Sequence, residues 1–236
     1  MLKDALQKGE INLKGQFILG YNDTFLTSVR HQAMEFLAVY KPRRGEQPLW
    51  DFPPHSLARR EVAAFLFSQL LGWDLVPVTI LREDGPLGPG SLQQFIKHDA
   101  NYHYFTFSDA DRQRLRLVAL FDLLVNNADR KGGHILIEHA TRHLWTIDHG
   151  LCFHEEDKLR TVVWDFAGEE ITKDLLSSIE RMREQLSLQG DQFSELQRYL
   201  TPSEIDALNC RAQRLLNERH YPHPPIDRRA YPYPPI

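Results

Sequence analysis

The chain has 236 residues, 42% hydrophobic and 25% charged, which suits one large domain or two lobes around a shared cleft. Its 28 basic and 32 acidic residues leave a net charge of −4, which argues against nucleic acid as a partner. No apolar run approaches the roughly 20 residues needed for a membrane span, the charged N-terminal stretch lacks the apolar core of a secretory leader, and Cys152 and Cys210 cannot form a disulfide framework, so a cytoplasmic protein is expected.

Residues 11–19 read as a strand that runs into a turn-forming cluster, Gly20-Tyr21-Asn22-Asp23-Thr24. Residues 25–29 and 35–41 read as two further strands. On the second of these, Val39 and Lys41 share one face while Ala38 and Tyr40 share the other, because side chains alternate along a strand. The stretch Pro42 to Pro54 holds four prolines and reads as a loop. From Ser56 to Leu71 the period becomes helical, with Val62, Phe65, Leu66 and Leu70 on one stripe and Gly72 placed to end the helix. Residues 75–81 read as a strand that Pro77 confines to an edge or a strand end, and residues 91–96 follow as another. The first part is thus a small sheet with one helix inserted after its third strand.

The second part is mainly helical. Ser108 to Asp111 carries a capping signal ahead of a helix bearing Leu117, Leu120, Phe121 and Leu124. Two short strands, 134–137 and 144–147, flank a polar turn, and helices follow. Thr201-Pro202-Ser203-Glu204 is a capping box with proline at the first helical position, starting a helix that runs to about Glu218. From Tyr221 the composition changes. Tyr221-Pro222-His223-Pro224-Pro225-Ile226 recurs as Tyr231-Pro232-Tyr233-Pro234-Pro235-Ile236, and this stretch holds six of the 14 prolines. Such a tail favours polyproline II. It fits either a ligand for a proline-reading partner or a strap on its own domain.

Four charged features stand in one order: Lys41 at a strand end, Glu61 early in the next helix, Asp129 in the loop after a long helix, and Asp148 just past a short hairpin. Phosphoryl transfer asks for these groups. It needs phosphates held, charge neutralised and the acceptor aligned, with little covalent chemistry from the protein. The motifs Ala38-Val39-Tyr40-Lys41, Arg60-Glu61-Val62-Ala63-Ala64, Ala128-Asp129-Arg130-Lys131 and Ile147-Asp148-His149-Gly150 together resemble the protein-kinase-like superfamily, in its phosphatidylinositol 3-/4-kinase-like branch. Asn127-Ala128-Asp129 is also similar to the loop of HipA-like bacterial kinases. The resemblance covers about residues 11–170, with the closest likeness to small bacterial proteins.

That resemblance implies an α+β, two-lobed protein-kinase-like fold: an N-lobe of residues 1–96 with an antiparallel sheet and a helix, a mainly helical C-lobe of 97–220, and a proline-rich tail of 221–236. It implies ATP and Mg²⁺ or Mn²⁺ as cofactors. By position, Lys41 would bind the α and β phosphates and Glu61 would pair with it. Val39 would touch the adenine, Asn22, Asp23 and Thr24 would form the phosphate-covering turn, and Gln94, Phe95 and Ile96 would be the hinge whose backbone meets the base. Asp129 would be the catalytic base and Asp148 the main metal ligand. His134 stands where the family has a second, asparagine ligand; imidazole is a softer donor and suits Mg²⁺ poorly. A Gly-rich phosphate loop is absent.

Read alone, the same residues have plainer roles: Lys41 a solvated charge, Glu61 a dipole-complementing first-turn carboxylate, Asp129 and Asp148 turn residues. Arg43, Arg44, Arg130 and Lys131 read as loop charges facing water or as binders of an anionic acceptor. His139 and His143 have ligand-like spacing, but they fall in a hairpin turn with no CxxC, which disfavours zinc. The leading expectation is a kinase acting on a protein or small-molecule hydroxyl. Lipid is disfavoured because no amphipathic or polybasic membrane-binding stretch is present. Two alternatives stand beside it: a nucleotide-binding pseudokinase acting as an interaction module, and AMP transfer on a kinase-like fold.

Overall fold

The computed structural model describes residues 2–18, 22–188 and 190–236. Gly20 and Tyr21 of the expected turn lie outside the described residues. Five strands form one antiparallel sheet: β1 (Glu10–Gln16), β2 (Phe25–His31), β3 (Met34–Pro42), β4 (Thr79–Arg82) and β5 (Gly90–Gln94), in spatial order β1-β2-β3-β5-β4. Alternation divides β3 between two environments. Ala38 and Tyr40 are wholly buried with Leu6, Val29, Ile80 and Leu92. Val39 and Lys41, on the other face, are only half-buried. The buried face is covered by α1 (Leu2–Lys8), a short N-terminal helix that the sequence pattern did not announce.

Between β3 and β4 runs α2 (Leu57–Leu71). Its first two N–H groups, of Leu57 and Ala58, donate to the Glu46 carboxylate 3.3 and 3.0 Å away, which caps a positive helix end with a negative charge. Gly72 ends it at φ 69°, in the left-handed region that glycine enters without cost. The amphipathic reading understated its burial, since twelve of its fifteen residues are buried. The strand expected over 75–81 starts only at Thr79. Leu75 and Val76 give their N–H groups to Ser68 Oγ instead, and Pro77 has none to give. It is an edge strand, as Pro77 suggested.

The rest is mainly helical. Ser108 caps α3 (Asp109–Gln113) through the Asp111 N–H, and a break at Arg114–Leu115 separates it from α4 (Arg116–Val125), where one continuous helix is expected. A hairpin, β6 (Ile135–Ile137) with β7 (Leu144–Thr146), follows. Helices α5 (Lys173–Ser187), α6 (Asp191–Leu196) and α7 (Pro202–Glu218) close the fold, and the Thr201–Glu204 capping box starts α7 as expected. One apolar core joins α2, α4, α5 and α7. A buried ion pair, Arg60 on α2 with Glu204 on α7, fastens the inserted helix to this second part.

The tail is a strap rather than a free arm. Tyr221 is buried, and Ala230 and Pro232 are buried further along. Among the described residues no three His, Cys, Asp or Glu side chains gather to hold a metal. His143 is not fully solvated, since its Nε2 lies 2.8 Å from the Asp74 carbonyl.

Candidate active site

The fold brings Lys41, Glu61 and Asp148 into contact and sets Asp129 near enough to feel the Asp148 charge. Lys41 Nζ donates to both carboxylates, pairing with Glu61 Oε1 and reaching Asp148 Oδ1 at 2.9 Å. Glu61 is 2% exposed, so a solvated first-turn role is excluded. Its second oxygen accepts the His149 N–H at 3.0 Å. Burial alone would lower the pKa of Lys41; Asp148 and Glu61 together outweigh it and raise the value, so the ammonium stays charged.

Asp148 sits at φ 61°, a left-handed conformation that a non-glycine residue adopts at a cost. Its side chain is 47% exposed, and Oδ2 lies 3.3 Å from His134 Nε2. Desolvation pushes its pKa up, but Lys41 and then His134 push harder the other way and hold the carboxyl well below the usual range. His134 Nδ1 accepts the Lys131 N–H at 3.4 Å, which leaves the ring proton on Nε2, facing Asp148. Desolvation lowers the His134 pKa to about 4, so the ring is neutral at pH 7.

Asp129 behaves in the opposite way. Desolvation first, opposed by Lys131 and reinforced by the Asp148 charge, raises its pKa to about 6. Lys131 Nζ lies 3.5 Å from Oδ2, and the Asp129 N–H donates to Asn127 Oδ1 at 2.9 Å.

Beneath the loop lies a network that sequence reasoning missed. Arg130, expected to face water or bind an anionic acceptor, is completely buried. Its Nε lies 3.0 Å from both oxygens of buried Asp122, one Nη donates to the Ile147 carbonyl at 2.8 Å, and the other donates to His149 Nε2 at 2.8 Å. Asp122 also accepts from Asn127 Nδ2 and Thr161 Oγ1. Desolvation, then the Arg130 charge, hold His149 neutral. One guanidinium therefore ties the Asp129 loop to the Asp148 turn. Breaking such a pair from one side costs about 3–5 kcal/mol. The available signal was Asp122 in an otherwise apolar stretch of α4, a buried carboxylate in need of a partner.

The remaining expected residues are less central. Val39 lies on the cleft face beside Gln93 and Leu26. Ile96 is buried, and the N–H groups of Gln94 and Phe95 donate to the Val78 and Leu37 carbonyls. Asn22 and Asp23 lean on the loop after β3: Asn22 Oδ1 accepts from the Gln47 N–H, and the Asp23 N–H donates to the Gly45 carbonyl. Thr24 Oγ1 donates to the Asn22 carbonyl.

With this geometry in hand, the comparisons with known proteins are specific. The model of the family described as phosphatidylinositol 3- and 4-kinase matches residues 79–198, which includes Asp129, His134 and Asp148. Protein Rv2133c of Mycobacterium tuberculosis (strain ATCC 25618 / H37Rv) is 38% identical, across 93% of this chain and 90% of that protein. Phosphatidylinositol 4-kinase gamma 4 of Arabidopsis thaliana is 27% identical over 55% of this chain, which spans only 30% of the plant protein. Among solved structures, the Helicobacter pylori proinflammatory kinase CtkA superimposes with a TM-score of 0.51 at 14% identity, covering 92% of this chain and 94% of that one. Hydra Fam20, solved with sugar, gives a TM-score of 0.59 at 13% identity, with coverages of 92% and 87%. At such identities the likeness concerns the fold: two-lobed and protein-kinase-like.

Proposed function

Because the chain belongs to the phosphatidylinositol 3- and 4-kinase family, we propose that it is an ATP- and divalent-metal-dependent phosphotransferase acting on a protein or small-molecule hydroxyl. The observation that carries this reading is the single ammonium of Lys41 shared between buried Glu61 and exposed Asp148. A cation fixed at the mouth of a cleft in this way is placed to grip phosphate oxygens.

The donor set fits a hard cation. Asp148 offers carboxylate oxygens at an exposed edge, and Mg²⁺ or Mn²⁺ needs only one or two carboxylates when substrate phosphates and water complete its shell. A metal bound there would neutralise charge on the phosphates during transfer. His134 carries its proton toward Asp148, so in this reading it orients the carboxylate rather than ligating the metal. Lys41 holds the phosphates and Glu61 fixes its direction. Asp129, with a value near 6, accepts the proton of the acceptor hydroxyl as its oxygen attacks the γ-phosphorus and ADP leaves. Val39 lies against the base, Ile96 supplies the hinge amide, and Asn22, Asp23 and Thr24 form the lip above the phosphates. Residues 1–96 and 97–220 are the two lobes between which the nucleotide sits.

ATP labelled at either the α or the γ position tests the reading, with Mg²⁺ or Mn²⁺ present. The γ label is expected to move, Asp129→Ala to stop it, and ATP still to raise the melting temperature of that variant. Transfer of the α label would identify AMP transfer. Thermal stabilisation by ATP without turnover in either metal would identify the nucleotide-binding module, the reading that His134 in the place of an asparagine favours.

A further inference from the structure

The two copies of the six-residue tail motif are held very differently. In the first, Tyr221 is 3% exposed, its hydroxyl donates to the Arg116 carbonyl at 3.0 Å, and its backbone pairs with Gly168 and Glu169. This end is an anchor. In the second, Tyr231 and Tyr233 are 50% and 75% exposed, and the backbone bonds to the loop that carries Asp129 and to the segment beside it.

Three hydrogen bonds reach the carbonyls of that second half. The Gly132 N–H, three residues beyond Asp129, donates to the Pro235 carbonyl at 2.8 Å. The Thr161 N–H and the Trp164 indole both donate to the Ala230 carbonyl, at 3.1 and 3.2 Å. The Phe105 ring closes the floor, since a Cβ on Gly132 would lie 2.8 Å from it. Segment 160–162 is itself laced to the Asp129 loop: the Arg130 N–H donates to the Arg160 carbonyl and the Val162 N–H to the Arg130 carbonyl. Two backbone segments therefore form a shelf whose donors read main-chain carbonyls. Donors of this kind accept any extended chain, and a proline-rich chain keeps its carbonyls available. One side chain adds to the fastening: Arg228 pairs with Asp157 at 2.8 Å on the surface, where such pairs hold weakly, and donates to the Leu159 carbonyl at 2.9 Å.

We propose that this shelf, formed by Gly132, Thr161 and Trp164, is the docking site for an extended polypeptide acceptor, and that residues 227–236 occupy it in cis as a displaceable latch anchored at Tyr221. The inference rests on the phosphotransferase reading for its chemistry, and it narrows the acceptor to a polypeptide hydroxyl. Binding at the shelf does not depend on turnover.

The test uses the full chain carrying Pro232→Glu, which places a charge at a buried strap position, and a fluorescein-labelled peptide of residues 227–236. The variant should bind the peptide at least tenfold more tightly than the wild type. With dephosphorylated β-casein as polypeptide acceptor, γ-phosphate transfer should rise several-fold at unchanged KM for ATP. The unlabelled peptide should inhibit competitively against casein and not against ATP. Arg228→Ala, a milder release, should shift each readout the same way and serves if Pro232→Glu does not fold. If neither variant binds the peptide, or casein transfer falls in both together with melting temperature, the strap is a structural brace and the proposal is overturned. Peptide binding without γ-phosphate turnover would keep the docking shelf and overturn the phosphotransferase reading. Turnover without peptide binding or competition would do the reverse.

Discussion

The loop carrying Asp129 and the turn carrying Asp148 each present one carboxylate to the same cleft, and the fold treats the two in opposite ways. Asp148 is exposed, takes a hydrogen bond from Lys41, faces His134, and is held well below the ordinary carboxylate range. Asp129 is more deeply set, has Lys131 as its nearest cation at 3.5 Å, and rises to about 6. In the proposed reading, two identical side chains thereby divide the work of a phosphotransferase. One would stay ionised to hold a cation, and the other would keep enough basicity to take a proton. Buried Arg130 fixes the spacing between them by bonding to Asp122 below one and to the Ile147 carbonyl below the other.

Removing either carboxylate should expose this division. Asp148→Asn should lower phosphoryl transfer by about three orders of magnitude or more, since it removes the proposed cation ligand. Binding of nucleotide without metal should change little, as followed by calorimetry with ATP in EDTA. Near-normal transfer by Asp148→Asn would remove the metal-holding role.

Arg130→Leu leaves Asp122 charged and unpaired in the core, and unfolding by urea should show a loss of about 3–5 kcal/mol. A change within about 0.5 kcal/mol would mean that the Arg130–Asp122 pair does not hold the two loops together.

Asp129→Asn should slow transfer by about two to three orders of magnitude while ATP binding persists. It should also stabilise the fold. The folded-state pKa is raised, so the carboxylate favours the fold in its protonated form, and that contribution is lost as pH rises from the ordinary carboxylate value through about 6. A neutral asparagine escapes the loss. The gain at pH 8 should be about 3 kcal/mol, several degrees in melting temperature, and it should largely vanish at pH 4. Equal melting curves at pH 8 would contradict the raised value.

The smallest effect concerns His134. His134→Leu should cost about tenfold in turnover through loss of Asp148 orientation, with the ratio of Mg²⁺ to Mn²⁺ activity unchanged. A shifted ratio would make the imidazole a ligand.

The legibility of the sequence follows the same physics. Local signals were readable because they are local: the Thr201–Glu204 box, Ser108 and Gly72 all sit where expected. Lys41, Glu61, Asp129 and Asp148 were readable as a set through their order. The Arg130 network was not, because an arginine in a polar loop carries no mark of burial; only Asp122, 39 residues before Thr161, hints at it. The break between α3 and α4 and the late start of β4 depend on tertiary partners such as Ser68 Oγ, which no window of sequence contains. Helix α1 is seven residues long and owes its place to the sheet face it covers. The tail's composition permitted both a free ligand and a strap, and long-range backbone bonds to Gly132 and Thr161 decide for the strap.

The unequal treatment of the two carboxylates can be read directly by carbon-13 NMR of aspartate side chains across pH, with assignments taken from Asp129→Asn and Asp148→Asn. Asp129 is expected to titrate near 6 and Asp148 to remain ionised below the range of ordinary carboxylates. Two ordinary titrations, or the reverse order, would contradict the account.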